Sequence, residues 1–285
     1  MRDLTFSDGP MFQRLMGNEA ICRGIVERIL RTEVAEIDNI VTEQTVEPRL
    51  GSHGVRMDVV LTADGRTYDV EMQTYRRGRV AKRFRYYQAS LDVAALGKGS
   101  DYDRLPPTFI VFICTDDFLG TGLAVSTLEI ACAEMPGFDC GHGFRWVILD
   151  ASRWDSLEPG PMRRLLQFVA TGVAPRDDAL LSLVSDEMDA ANADAAWKEE
   201  MMPFLTLEED AKIQARISYE DGKAEGRVEG RAEGRVEGEA AGIEQGRRQM
   251  ASLVQRLMAD GRADDVVRAA ESPELCARLC EEYGL

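Results

Sequence analysis

Asp58, Glu71 and Gln73 fall within one short segment, VRMDVVLTADGRTYDVEMQ, residues 55–73. Carboxylate oxygens are the donors that a hard divalent cation such as Mg²⁺ accepts. Two carboxylates act on one ion only if the chain brings them together, and Asp64-Gly65 supplies the means. Both positions of a tight two-residue hairpin turn want positive φ, which Asp and Gly tolerate. With that turn Ala63 faces Arg66, and the same register sets Asp58 opposite Glu71. Gln73 follows two residues further on, on the same face. Like charges facing each other across a sheet are destabilising, and a cation between them removes that penalty.

The hairpin alternates cleanly. Val55, Met57, Val59 and Leu61 point one way, with Tyr68, Val70 and Met72 on the facing strand. Asp58, Thr62, Thr67, Asp69, Glu71 and Gln73 point the other way, with Val60 among them. Spacing alone fits two readings, a metal-binding face and a half-buried hairpin whose charged face is simply wet.

Four segments in order resemble one family. They are DLTFSDGPMFQRLMGNEAIC at the start, GVRMDVVLTADGRTYDVEMQT, KRFRYYQASLD and FIVFICTDDFLGTG, within roughly residues 3 to 150. Together they resemble the PD-(D/E)XK nuclease family transposases, also called recombination-promoting nucleases. The resemblance implies a restriction-endonuclease-like αβββαβ core, a mixed sheet flanked by helices. It also implies Mg²⁺, with Mn²⁺ as a substitute, held by Asp58, Glu71 and the backbone carbonyl of Met72. The implied catalytic residues are Asp58, Glu71 and Gln73, and the implied activity is DNA endonuclease cleavage linked to recombination or mobile elements. Gln73 stands where most nucleases of this superfamily carry Lys, so it brings no cation to the reacting phosphate. The alternative is a degenerate nuclease fold that binds nucleic acid or protein without cutting.

Three residues after Gln73 begins a basic run, Arg76, Arg77, Arg79, Lys82, Arg83 and Arg85, with no acid among them. It leads into an expected helix from Val80 to Leu96, stopped by Gly97. Val80, Phe84, Tyr87, Leu91, Ala94 and Ala95 form its apolar face at helical periodicity. Lys82, Arg85 and Tyr86 fall opposite, as candidate phosphate contacts and a stacking ring for a DNA partner, or as a solvated basic face.

These residues need a scaffold. Pro10 to Leu30 reads as helix capped near Ser7 or Asp8, with a split at Gly17-Asn18. An extended stretch, Ile37 to Leu50, precedes the hairpin. TFIVFIC, from Thr108, reads as a buried strand and FRWVILD, from Phe144, as one more. Glu19 and Glu27 are a further carboxylate source or plain surface charge. Cys140-Gly141-His142 lacks a second ligand pair at zinc spacing. The six cysteines then read as free thiols of a cytoplasmic protein, since MRDLTFSDGP lacks the apolar stretch of a leader and no run reaches the ~18 apolar residues of a membrane span.

A formal charge of −16 at first argues against nucleic acid, but the charge is uneven. Residues 1–175 hold 20 basic and 24 acidic residues; residues 176–285 hold 14 and 26. The acidity belongs mostly to the tail, which sets the expected organisation: a nuclease-like domain over 1–175, a helical connector over 176–221, a repeat over 222–246 and a helical tail over 247–285. In the repeat, glycine recurs every fourth residue from Gly222 to Gly246. Each helical Gly costs ~1 kcal/mol relative to Ala, so the stripe reads as a helix that associates with a second copy, or as a charged spacer.

Overall fold

The computed structural model describes residues 2–46, 54–75 and 80–285, and for most residues between 208 and 240 the backbone alone. Two compact units divide the chain near Ser218 and Tyr219.

The first unit is built on a six-stranded sheet in the order β1-β2-β3-β4-β6-β5. The strands are β1 (Ile37–Val46), β2 (Val55–Ala63), β3 (Arg66–Gln73), β4 (Thr108–Cys114), β5 (Val125–Leu128) and β6 (Phe144–Asp150). β1, β2 and β3 pair antiparallel; β3, β4 and β6 run parallel; β5 closes the far edge antiparallel to β6. The β2–β3 turn is the two-residue Asp64-Gly65, with φ of 51° and 69°, and Ala63 pairs with Arg66 as the turn chemistry requires. β5 went unrecognised in the sequence. It is four residues long and carries no alternation to distinguish it from loop.

Helices cover both sheet faces. On one face lie α1 (Gly9–Met16), α2 (Glu19–Leu30), α4 (Pro161–Thr171) and α5 (Ala179–Ala193). They bury Phe12, Ile25, Leu165 and Leu181 against Val59, Leu61, Val70, Val111 and Leu149. The α1–α2 break falls at Gly17-Asn18 because Asn18 caps α2, accepting from the amides of Ala20 and Ile21. Asp8 begins α1 with its carboxylate turned to Arg2 and Thr5 instead of the helix.

The other face lies under α3 (Val80–Ala95). Phe84 stacks on Phe112 at 4.2 Å and on Trp146 at 5.5 Å. The buried residues of α3 end at Leu91, so Ala94 and Ala95, expected on the apolar face, are exposed. Because α3 covers this face, β3 is not half wet: Asp69 is 0% exposed, Glu71 2% and Gln73 7%. Arg76, Arg77 and Arg79, and the end of the extended stretch at 47–50, lie outside the described residues.

The alternation expected of β2 fails at Asp58. Val59 and Leu61 join the cluster under α1, α2, α4 and α5, whereas Met57 and Val55 join Val60 under α3. Met57 and Val59, two residues apart, thus reach opposite faces. The cause lies across the sheet: Thr42 pairs with Val59 and Gln44 with Met57, but between them Glu43 adopts φ 57° and leaves the pairing together with Asp58. A non-glycine residue in left-handed backbone is strained, which fits a position held by its surroundings.

After the sheet the chain is helical. α6 (Ala195–Ala259) runs as one helix through the whole glycine repeat, followed by α7 (Ala263–Glu271) and α8 (Pro273–Tyr283). In the second unit Leu253, Leu257, Ala269 and Leu279 form a small core of their own. Arg262 ties it, meeting Asp265 at 2.8 Å and Glu282 at 2.7 Å.

Candidate active site at the hairpin fork

The irregularity at Asp58 builds the site. Regular β2–β3 pairing ends at Val59–Val70. Beyond it each carboxylate reaches across to the other strand. The Asp58 amide donates to Glu71 Oε1 at 2.7 Å, and the Met72 amide donates to Asp58 Oδ2 at 3.0 Å. Side-chain oxygens thus replace the backbone carbonyls that would continue the ladder, and the hairpin forks. In a strand the N–H and C=O of one residue point to the same edge. The Met72 carbonyl therefore shares the edge its amide uses to meet Asp58.

Gln73 extends the arrangement. Its Nε2 donates to Glu71 Oε2 at 3.1 Å, and its Oε1 accepts from Arg83 Nη1 at 2.7 Å. A carboxylate only accepts and a guanidinium only donates, so the amide can bridge them in one orientation alone. Arg83 also donates to the Tyr87 hydroxyl at 3.2 Å and lies over the Phe112 ring at 4.9 Å.

The electrostatics are those of crowded acids. Burial pushes the Glu71 carboxyl well above the usual carboxylate range, and the charges of Asp58 and Asp69 push it further. Burial and Asp58 do the same to Asp69, which sits between Val60 and Ile110 in the sheet, with Glu71 beside it acting in the opposite sense and no other described group donating to its oxygens. Burial, with the charge of Glu71 adding, pushes the Tyr87 hydroxyl up to about 12. In all three cases Arg83 acts in the opposite sense.

The fork opens into a cleft of about 690 Å³. Asp58, Glu71 and Gln73 line it together with Lys82 and Tyr86 of α3. Arg85 does not. It lines a separate groove of about 390 Å³ beside Gln88 and Trp146. Glu43, Arg83 and Tyr87 are among the cleft residues that sequence reasoning does not single out as site residues. Arg83 and Tyr87 flank Phe84 on the buried side of α3, and helical periodicity cannot tell which rim of an apolar face meets the carboxylates. Glu43 carries no local signal, because its place follows from pairing with β2. Phe204, Leu207 and Ala211 of α6 line the cleft as well, whereas Glu19 and Glu27 are spent elsewhere. Glu19 pairs with Arg23, and Glu27 accepts from the Val34 amide.

Residues 10–129 match the family model described as PD-(D/E)XK nuclease family transposase. The matched segment begins in α1, ends just past β5 and contains the fork, Gln73 and α3. Searches of curated proteins and of solved structures returned no match.

The donor set suits a hard divalent ion. Asp58 and Glu71 each reach across the fork to the other's strand, the Met72 carbonyl shares the edge, and the mutual repulsion of Asp58, Asp69 and Glu71 is what a divalent cation would relieve. No group of three or more His, Cys, Asp or Glu able to hold a metal occurs among the described residues. The protein would thus supply two carboxylates, with remaining positions left to water and substrate, as Mg²⁺ sites at phosphates commonly do.

Proposed function

We propose that the chain is a metal-dependent DNA endonuclease that hydrolyses phosphodiester bonds, uses Mg²⁺ or Mn²⁺, and serves recombination or a mobile element. The observation that carries this reading is the fork. The one place where the hairpin abandons its ladder is where Asp58 and Glu71 meet, inside the segment that matches a nuclease family.

Asp58, Glu71 and the Met72 carbonyl would hold the ion, which when bound polarises the scissile phosphate and lowers the pKa of a water. The chain's own residues do the rest. The amides of Asp58 and Met72 fix both carboxylates before substrate arrives, so no reorganisation is needed. Gln73 holds the second oxygen of Glu71. Lys82 and Tyr86 are exposed on the cleft wall, where Lys82 would meet a phosphate and Tyr86 a base or sugar.

The test is cleavage of supercoiled plasmid by the full chain with Mg²⁺, Mn²⁺ or EDTA, with Asp58→Ala and Glu71→Ala as controls. Metal-dependent nicking lost in both variants is the expected result. Nicking that survives in Asp58→Ala would place the activity elsewhere, in this protein or in a contaminant. DNA binding without nicking would favour the non-cutting alternative. No described helix is long and apolar enough to cross a membrane.

A further inference from the structure

The cleft holds a cation that the motif itself does not contain. We propose that Arg83 is a further catalytic residue of this site: its guanidinium, seated through Gln73 against Glu71, contacts a non-bridging oxygen of the scissile phosphate. This rests on the nuclease reading above.

The geometry carries the proposal. Arg83 leaves α3 one turn after its start and is half-buried at the cleft. A guanidinium has five N–H donors. Among the described residues Arg83 spends one on Gln73 Oε1 and one on the Tyr87 hydroxyl. It forms no ion pair with a carboxylate among them, although it stands one amide away from Glu71. Its plane is fixed by the Phe112 ring at 4.9 Å and the Tyr87 ring at 5.5 Å. A fixed guanidinium with unspent donors beside a pair of carboxylates suits a phosphate, whose oxygens accept from such a fork.

The same geometry explains why position 73 is Gln. A Lys there would place an ammonium against the guanidinium, with no acceptor between them. The Gln amide accepts from Arg83 and donates to Glu71, joining cation to anion. Gln73 and Arg83 therefore form one device, with the positive charge on the helix instead of the strand.

In the reaction a water oxygen bonds to phosphorus while the bond from phosphorus to one sugar oxygen breaks. The leaving oxygen keeps the electron pair and takes a proton from solvent, and the attacking water gives one proton to solvent. Negative charge builds on the non-bridging oxygens in between, and the Arg83 donors face that charge. Removing a comparable fixed donor costs about 10²–10³-fold in rate.

The experiment uses the full chain and the variants Arg83→Gln and Arg83→Lys, with two readouts. The first is kcat and KM for Mn²⁺-dependent cleavage of a duplex oligonucleotide. The second is the affinity for Mn²⁺ alone, by calorimetry without DNA. Arg83→Gln should lose about 10²-fold in kcat with KM changed less than kcat, and Arg83→Lys should recover part of it. Mn²⁺ should bind Arg83→Gln as tightly as wild type or more tightly, because a competing cation has left the carboxylates. The two readouts moving in opposite directions separates catalysis from support of the fold. A kcat within threefold of wild type overturns the proposal, as does a kcat that falls together with Mn²⁺ affinity. If Asp58→Ala abolishes cleavage while Arg83→Gln keeps it, the nuclease reading stands and the Arg83 role falls. If wild type cuts nothing, both fall.

Discussion

Asp58 and Glu71 hold each other's strands: the Asp58 amide donates to Glu71 at 2.7 Å, and the amide following Glu71 donates back to Asp58 at 3.0 Å. Both carboxylates are thereby fixed close together, with burial raising the cost of charge on Glu71. A divalent ion offsets that cost only in the folded state and should therefore stabilise it. At 100 times Kd the gain is about 2.7 kcal/mol. Thermal melts with and without Mn²⁺ should show a higher Tm for wild type and none for Asp58→Ala or Glu71→Ala. An equal rise in all three would move the ion away from the fork.

Asp69 lies two residues from Glu71 on the same buried face; among the described residues Glu71 is the one side chain near enough to share a proton with it, and no other described group donates to either of its oxygens. An unpartnered buried polar group costs about 1–3 kcal/mol, more when charged. Asp69→Leu replaces it with an apolar side chain of similar size between Val60 and Ile110 and should raise the urea midpoint at neutral pH. A lower midpoint would show that Asp69 has a favourable partner in solution.

Lys82 and Arg85 were equivalent in the sequence, two basic residues on one side of a helix. In the structure Lys82 lines the cleft and Arg85 the separate groove. Lys82→Ala should therefore weaken DNA binding and reduce the salt slope by about 0.9, while Arg85→Ala should leave both unchanged. Binding titrations at several salt concentrations decide it, and equal effects from the two would extend the DNA path around α3.

That pair shows where legibility ended. The hairpin register followed from two residues, Asp64 and Gly65, because a turn imposes its geometry locally. Opposition of Asp58 and Glu71 came with it, as did the order of the main strands and α3. The face change at Asp58 was invisible because it answers to Glu43, a residue on another strand with unusual backbone. Asp69 read as one more wet acid because strand alternation cannot say whether a helix covers the polar face. Arg83 was hidden among five other basic residues, and only the placement of α3 over Phe112 selects it.

A structural ion pair in the first unit gives the pH dependence a sign. Arg28 of α2 grips Asp178, the cap of α5, with two bonds of 2.9 Å, and Asp178 also accepts from the Leu181 amide. Burial alone would raise the Asp178 pKa, but these bonds overcome it and hold the carboxyl below its usual range. A depressed folded pKa means stability that is present above the ordinary carboxylate pKa of about 4 and lost as pH falls through the folded value. Arg28→Ala should cost about 1–3 kcal/mol at pH 7, since it leaves the buried Asp178 with the Leu181 amide and the more distant Arg164, 3.9 Å away, and should lose less than wild type between pH 5 and pH 2. Urea melts across that range test both, and parallel curves for the two proteins would remove Asp178 from the acid response.

The glycine repeat offers a test in which the sign of the effect is the answer. Gly234, Gly238, Gly242 and Gly246 lie on α6, and a Cβ added at any of them meets nothing within 4 Å. Within one chain, then, Ala at these positions should only help, by up to ~1 kcal/mol each from helix propensity. A stripe this costly has a use if a second copy of the helix packs against it, because glycine lets two backbones approach closely. We expect the full chain to be a dimer at micromolar concentration. Gly238→Ala with Gly242→Ala should raise helicity by circular dichroism yet weaken the dimer in sedimentation equilibrium, and Leu at the same positions should weaken it further. Higher helicity with unchanged mass would mean that nothing packs on the stripe. The repeat would then be a charged helical spacer whose glycines lower stability without a contact to offset them.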